Sequence, residues 1–317
     1  MKNIGIIGLG GISHRVAKGV KFAKNAHLYA VASRSEKKAK QFHEQYGSEV
    51  YYSDYEELLE DNKADLVYIC TPNKLHYAQI LQCLKHKKHV LCEKPLVSDM
   101  RQLDEVFAYA NAQRCFLMEA EKTLFTPLNK KIRELIEEGR IGTLKHIEGS
   151  YSYAFDASGM AADHWCFSKE DGGSAYDVGV YPLCYANWFA GSDIQEIHSI
   201  KNTAALGYDT FAQALLRYEN GITASVRSGW EIPMENRGYL YGSQGVIITE
   251  NFWKNTEAIL KMNDGEVIDI RVAMDSDFTG EIEHAVDCIE QGLLESPVLP
   301  HHASKEIMKV LEHIKRS

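Results

Sequence analysis

Along the first third of the chain, short runs of β-branched and aliphatic residues alternate with stretches whose apolar positions recur at helical spacing. The pattern predicts strands at Lys2 to Gly8, His27 to Ser33, Val50 to Tyr52, Asp65 to Thr71, His89 to Glu93 and Cys115 to Glu119. Helices are expected between them at Gly11 to Lys24, Ser35 to Tyr46, His76 to His86 and Ser98 to Ala112, with Gly47 placed to end the second. The run Ser53, Asp54, Tyr55, Glu56 reads as a capping box opening a further helix. Parallel neighbours need a crossover, and right-handed helical crossovers supply it, so this rhythm implies an α/β fold with a doubly wound parallel sheet.

After Pro127 the pattern changes. A helix from Leu128 to Glu138 stops at Gly139, and strands then dominate: Leu144 to Phe155, Ile194 to Ala205, Thr210 to Tyr218, Ile222 to Trp230, Arg237 to Tyr241, Val246 to Asn251, Ala258 to Met262 and Val267 to Val272. Asn220-Gly221 and Asp264-Gly265 supply the positive φ that tight hairpins require. Helices at Ser174 to Phe189, Glu281 to Gln291 and Ser304 to Lys315 complete an α+β domain with a large, mostly antiparallel open sheet. The expected division is residues 1–120 and 121–317. An open sheet needs its second face covered, which points to a homodimer or homotetramer through the C-terminal sheet.

Charge and cysteine content narrow the setting. The 317 residues carry 35 Lys plus Arg against 44 Asp plus Glu, a net charge of −9, which argues against nucleic acid as partner. The seven cysteines are dispersed without a C-x-x-C pair and read as free thiols in a reducing compartment, the cytoplasm. No apolar run approaches the ~18 residues of a membrane span. The apolar stretch Ile4 to Ile12 holds four glycines, runs into His14 and Arg15 and lacks a small-residue cleavage site, so it is read as part of the fold.

Gly8-Leu9-Gly10-Gly11-Ile12-Ser13 stands where the first strand turns into the first helix. Such glycines let the backbone approach a pyrophosphate that helix N–H groups stabilise, and Ser13 is small enough to replace the third glycine. The context makes this a Rossmann dinucleotide site. At the end of the second strand, where an NAD site usually has an acid, the chain has Ser33-Arg34-Ser35, followed by Lys38. A guanidinium and hydroxyls suit the 2′-phosphate of NADP, the preferred cofactor; NAD stays open through Glu36, with Arg34 and Lys38 then a solvated helix start.

Thr71-Pro72-Asn73-Lys74-Leu75-His76, Cys92-Glu93-Lys94-Pro95 and Gly172-Gly173-Ser174-Ala175-Tyr176-Asp177-Val178-Gly179-Val180-Tyr181 follow in order. With the glycine turn they resemble the glucose-fructose oxidoreductase and inositol dehydrogenase (Gfo/Idh/MocA) family. Tyr181 in the final motif, and Met118-Glu119-Ala120 followed by Thr123, Phe125 and Pro127, are similar to the dimeric dihydrodiol dehydrogenase and aldose dehydrogenase branch. Lys122 and Leu124 depart from that branch, which usually has Trp and Arg there.

The resemblance implies an NAD(P)-dependent oxidoreductase transferring a hydride between nicotinamide and a sugar, polyol or vicinal diol. Lys94, Tyr181 and Asp177 are the implied catalytic residues, with either Lys94 or Tyr181 as principal acid-base group and Asp177 positioning. A lysine working near neutrality needs burial or a neighbouring charge. Pro95 is expected to be cis. Thr71, Pro72, Asn73 and His76 are expected on the cofactor side; Glu93 either contacts the ribose, orders the Lys94 loop or forms a structural ion pair. Glu119, Lys122, His164 and Trp165 are candidates for the substrate pocket beside Lys94, Asp177 and Tyr181. No metal-ligand spacing occurs: His86 and His89 sit among lysines, and His301-His302 lacks spaced partners. The alternatives are a catalytically silent NADP-binding sensor or a reductase of a non-sugar carbonyl.

Overall fold

The strands of the first third are buried on both faces, as an apolar run without alternation requires. Ile4, Ile6, Leu66, Val67, Tyr68, Val90 and Leu91 have no exposed surface. In this computed structural model, which describes residues 1–161 and 164–317, β1 (Lys2–Ile7), β2 (Ala26–Ala32), β3 (Val50–Tyr52), β4 (Leu66–Ile69), β5 (His89–Glu93) and β6 (Leu117–Ala120) form one parallel sheet. Its order is β3-β2-β1-β4-β5-β6, with a switch point between β1 and β4. The crossovers are α1 (Gly11–Phe22), α2 (Glu36–Tyr46), α3 (Tyr55–Glu60), α4 (His76–Lys85) and α5 (Met100–Gln113). The cap of α3 is Asp54, which accepts from Glu56 N at 2.8 Å, rather than the expected Ser53. The shorter reach of an Asp-turn to the second N–H takes precedence over a full capping box.

The second sheet is built from β7 (Leu144–Ser152), β8 (Ile194–Thr203), β9 (Asp209–Tyr218), β10 (Thr223–Gly229), β11 (Arg237–Gly242), β12 (Gly245–Glu250), β13 (Glu257–Met262) and β14 (Val267–Arg271). Its order is β14-β13-β12-β11-β7-β10-β9-β8, antiparallel except where β7 pairs β10. One face carries Ile147, Ala214, Leu216, Ala224 and Val226, all buried. α6 (Pro127–Glu137) precedes this sheet, and α7 (Val180–Ala190) packs on it, Pro182 coming so close to Gly149 that a Cβ there would lie 2.9 Å away. At both hairpins only the glycine has positive φ, Gly221 at 85° and Gly265 at 99°. Asn220 and Asp264 keep negative φ, so these are three-residue connections closed by a glycine bulge.

α8 (Thr279–Glu290) and α9 (His301–Arg316) end the chain. The units are Met1–Lys122 with Asp275–His302, and Thr123–Met274 with Ala303–Ser317. The division expected at residue 120 therefore needs a return segment. α8 lies on α1, where Gly19 leaves no room for a side chain: a Cβ would come within 2.6 Å of Phe278. Thr279 Oγ1 donates to Gly19 O at 3.0 Å, and the His301 ring stacks on Phe107 at 3.8 Å. An amphipathic pattern marks α8 as a helix but does not say which sheet it covers.

Candidate active site

The glycine turn is shaped by one forbidden conformation. Gly8 has φ +85°, and a Cβ there would meet Thr71 Cγ2 at 2.6 Å and the Cys70 backbone at 2.8 Å, so only glycine fits. Gly10 caps α1 without offering a side-chain oxygen to the first-turn N–H groups. Cβ atoms on Gly10 or Gly11 would meet nothing within 4 Å. Ser13 is buried and its hydroxyl donates to Gly10 O at 2.6 Å, bracing the turn, while Ile12 is half-buried beside it.

A cavity of about 520 Å³ opens over this turn and brings together Gly8, Gly10, Ser33, Arg34, Lys38, Thr71 and Pro72. The residues present fit a dinucleotide: an anion-accepting helix end over glycines, with two cations where the second strand ends. Arg34 reaches the Tyr55 phenol, whose proton burial holds more tightly and the guanidinium loosens. Ser35 caps α2 through Lys38 N.

His76 and Asn73 stand apart from that lining. His76 is fully buried, its Nδ1 3.0 Å from Pro95 O and its Nε2 2.8 Å from Thr71 O. It ties the loop after β4 to the loop after β5. Asn73 is buried at the start of a short turn, Asn73–Leu75. The Lys94-Pro95 peptide is cis, as expected. Glu119 is buried and accepts from Leu96 N at 3.0 Å, so it also fixes the loop that carries Lys94.

Lys122 is turned inward. Only 3% exposed, its ammonium pairs with Asp277 and lies 4.8 Å from the centre of the Phe278 ring. Arg15 on α1 reaches the same Asp277 oxygen at 2.5 Å. Burial would raise the Asp277 carboxyl, but Lys122 and Arg15 outweigh it and hold it below its usual range. Burial lowers the Lys122 ammonium, with Asp277 acting against it. A cation so engaged anchors the return segment. Leu124, its companion departure, is buried as well.

In the second unit, Asp177 sits in a π-helical turn, Ala175–Gly179, that leads directly into α7. π turns are rare and recur at functional sites. The Asp177 carboxylate accepts from Tyr153 Oη at 2.9 Å and from Trp230 Nε1 at 3.3 Å. Burial, then the Asp177 charge, push the Tyr153 phenol well above its ordinary value. Tyr181, 9% exposed, lies 5.6 Å from the Tyr151 ring, which stacks on Trp253 at 3.7 Å. Tyr153 adjoins both Tyr151 and Phe155, and Phe155 stacks on Trp230 at 4.5 Å.

The structure thus brings Asp177 and Tyr181 onto one aromatic surface. His164 and Trp165 extend it through Phe167, although His164 Nδ1 is occupied 2.9 Å from Cys166 Sγ. Sequence reasoning missed Tyr151, Tyr153, Phe155, Trp230 and Trp253. The alternation Tyr151, Tyr153, Phe155 was the available signal, since those positions share one strand face. Among the described residues no cluster of His, Cys, Asp or Glu could hold a metal ion.

Comparison with known proteins places these features in a family. Residues 2–121 match the oxidoreductase family with NAD-binding Rossmann fold (GFO_IDH_MocA), and residues 129–248 match the GFO/IDH/MocA C-terminal domain. Trans-1,2-dihydrobenzene-1,2-diol dehydrogenases of Mus musculus and Homo sapiens are each 28% identical, over 92% of this chain and 88% of theirs. A 3-ketoreductase from Actinomadura kijaniata, crystallised with NADP and TDP-benzene, is 26% identical with a TM-score of 0.87, covering 99% of this chain and 97% of that one. An aldose-aldose oxidoreductase from Caulobacter crescentus shares the fold, with a TM-score of 0.89 at 21% identity over 99% of this chain and 96% of that one. With its glycine turn, its Glu93-Lys94-cis-Pro95 loop and both domain models matched, the chain belongs to the Gfo/Idh/MocA family of NAD(P)-dependent oxidoreductases acting on CH–OH groups.

Proposed function

We propose that the substrate is a vicinal diol or a sugar-like polyol carried on a ring, oxidised or reduced at one carbon. The observation that carries this reading is the Asp177 carboxylate set among ring faces, held by Tyr153 and Trp230 with Tyr181 on the same surface. Aromatic faces suit the apolar side of a carbocycle or pyranose, while a carboxylate and a phenol suit its hydroxyls. The diol named for the mouse and human relatives has this combination.

Bound nicotinamide supplies hydride acceptance or donation. Lys94 and Tyr181 move the proton at the reacting oxygen, and Asp177 orients the neighbouring hydroxyl. Arg34, Ser33 and Lys38 favour NADP over NAD through the 2′-phosphate. The outward face of the second sheet, with Ile200, Leu215, Ile259 and Val267 exposed, supports a homodimer or homotetramer closing over it. The seven cysteines are free and buried, which supports a cytoplasmic setting, and no helix among the described residues is long and apolar enough to cross a membrane.

The test is turnover of trans-dihydrodiols, aldoses and cyclic polyols with NADP⁺, read by absorbance of the reduced nicotinamide. Reduction with at least one diol or sugar is expected. Tight NADP⁺ binding without turnover of any of them would overturn the reading.

A further inference from the structure

Under the Lys94 loop lies a buried acid pair with no part in the chemistry above. Tyr68 is fully buried on β4, and its Oη stands 3.1 Å from Glu93 Oε1 and 2.8 Å from Glu281 Oε1. A phenol has one hydrogen to donate. Two hydrogen bonds at one phenol oxygen, both to carboxyl oxygens, therefore need a second hydrogen. It has to come from one of the carboxyls, since two acceptors facing each other without a proton repel.

Several observations place that hydrogen on Glu281. The side chain has no exposed surface, and its Oε2 is buried with no hydrogen-bond partner among the described residues. A neutral acid tolerates such an oxygen far better than a carboxylate does. The charged groups facing Glu281 are Glu93, Glu121 and Lys122, two acids against one cation, and Lys122 is already paired with Asp277. Burial, then Glu93, hold the Glu281 proton well above the ordinary carboxyl range.

Glu93 has a different environment. Burial raises it as well and the net shift is upward, but Lys94 and Lys122 oppose it and the Lys94 N–H donates to the carboxylate, so its rise is the smaller of the two. The two acids thus differ chiefly in charged neighbours.

We propose that Glu281 stays a carboxylic acid near neutral pH and donates to Tyr68, so that the single phenol hydrogen is directed to Glu93 and keeps that carboxylate charged beside Lys94. Tyr68 and Glu281 are then positioning residues: they touch neither substrate nor cofactor and act through Glu93. Glu93, in turn, sets the charge felt by the Lys94 ammonium. The functional half rests on the reading of Lys94 as a proton-handling group, and the measurements below need no turnover.

The first measurement is the infrared difference spectrum of the full-length protein near pH 7, wild type against Glu281→Gln and Glu93→Gln. A buried carboxylic acid C=O stretch is expected in the wild type and in E93Q, and is lost in E281Q. Loss in E93Q with retention in E281Q, or no such band in the wild type, overturns the assignment. The second is the same spectrum for Tyr68→Phe, which removes the donor to Glu93 and favours its protonation: a second carboxylic acid band, absent from the Y68F/E93Q double variant, is expected near pH 7. E281Q, whose amide still donates to Tyr68, shows no such second band. A spectrum of folded Y68F without it overturns the positioning role, and should Y68F fail to fold, the E281Q and E93Q spectra decide the proposal alone. Loss of turnover in K94A is a separate readout, so failure of the acid pair is distinguishable from failure of Lys94 as catalyst.

Discussion

The two units hold their chemistry in different ways. In the first, the functional groups sit on short contiguous segments at the carboxyl ends of parallel strands: the glycine turn after β1, Thr71 and Pro72 after β4, and Lys94 after β5. Parallel strands all end on one side, so a segment read in the sequence is already located in space. In the second, Asp177 and Tyr181 take their setting from Tyr151, Tyr153, Trp230 and Trp253, which sheet pairing and a loop deliver from distant parts of the chain. Backbone-built sites are written locally; side-chain-built surfaces require the fold.

That contrast can be broken most directly at the residues proposed to handle the proton, where the effect should be largest. Lys94→Ala and Tyr181→Phe should each lower kcat by about 10²-fold or more with little change in thermal midpoint. A variant retaining most of its kcat would remove that residue from the mechanism. Next come the glycines. Gly8→Ala forces a side chain into positive φ, costing on the order of 1–3 kcal/mol, and into Thr71, so both melting temperature and NADP⁺ affinity should fall. Gly10→Ala faces open space and should weaken NADP⁺ binding alone; a comparable loss of stability would show that the turn is braced by packing there too.

A smaller effect is expected at Arg34. Arg34→Ala should weaken NADP⁺ binding by about tenfold, the worth of one charge-assisted hydrogen bond, and leave NAD⁺ binding unchanged; equal loss for both cofactors would count against a 2′-phosphate role. In the second unit, Tyr151→Ala removes one stacked ring, worth about 0.5–1.5 kcal/mol. It should raise KM severalfold while kcat holds, whereas a collapse of kcat would make the ring part of the reacting geometry.

The acid pair adds a pH dependence of stability. A carboxyl whose folded pKa is raised, as burial does for Glu281, stays protonated in the folded state while the unfolded chain ionises. Its penalty is absent below the unfolded pKa and grows as pH rises toward the folded one. E281Q should therefore gain stability over wild type above about pH 4.3, with the difference vanishing in more acidic buffer. Parallel melting curves at every pH would mean that Glu281 ionises normally.

Strand and helix placement was legible because both sheets follow simple patterns, unbroken apolar runs in one and alternation along β9 to β13 in the other. The dinucleotide turn was legible because its constraint is local: Gly8 must be glycine. The partners of His76, Glu119 and Lys122 were not legible for a common reason. Each is a polar residue beside a recognised motif, and only the tertiary structure reveals that Pro95 O, Leu96 N and Asp277 engage them. The aromatic surface was not legible because Tyr181, Trp230 and Trp253 lie far in sequence from the run Tyr151, Tyr153, Phe155. The return of residues 275–302 to the first unit is likewise a long-range decision, made by the fit of Phe278 against Gly19.

That return has a consequence for how the protein is made. The ribosome releases α1 early, but the helix that covers it, α8, emerges only after the whole of 123–274 has been synthesised. Until then the nascent Rossmann sheet carries an uncovered apolar flank and the unneutralised Arg15 and Lys122, awaiting Asp277. The first unit, begun first, is thus finished only after the whole of 123–274 has been made, and a premature stop between residues 122 and 275 would leave it open to chaperones and proteases even though every residue proposed to bind the cofactor had been made.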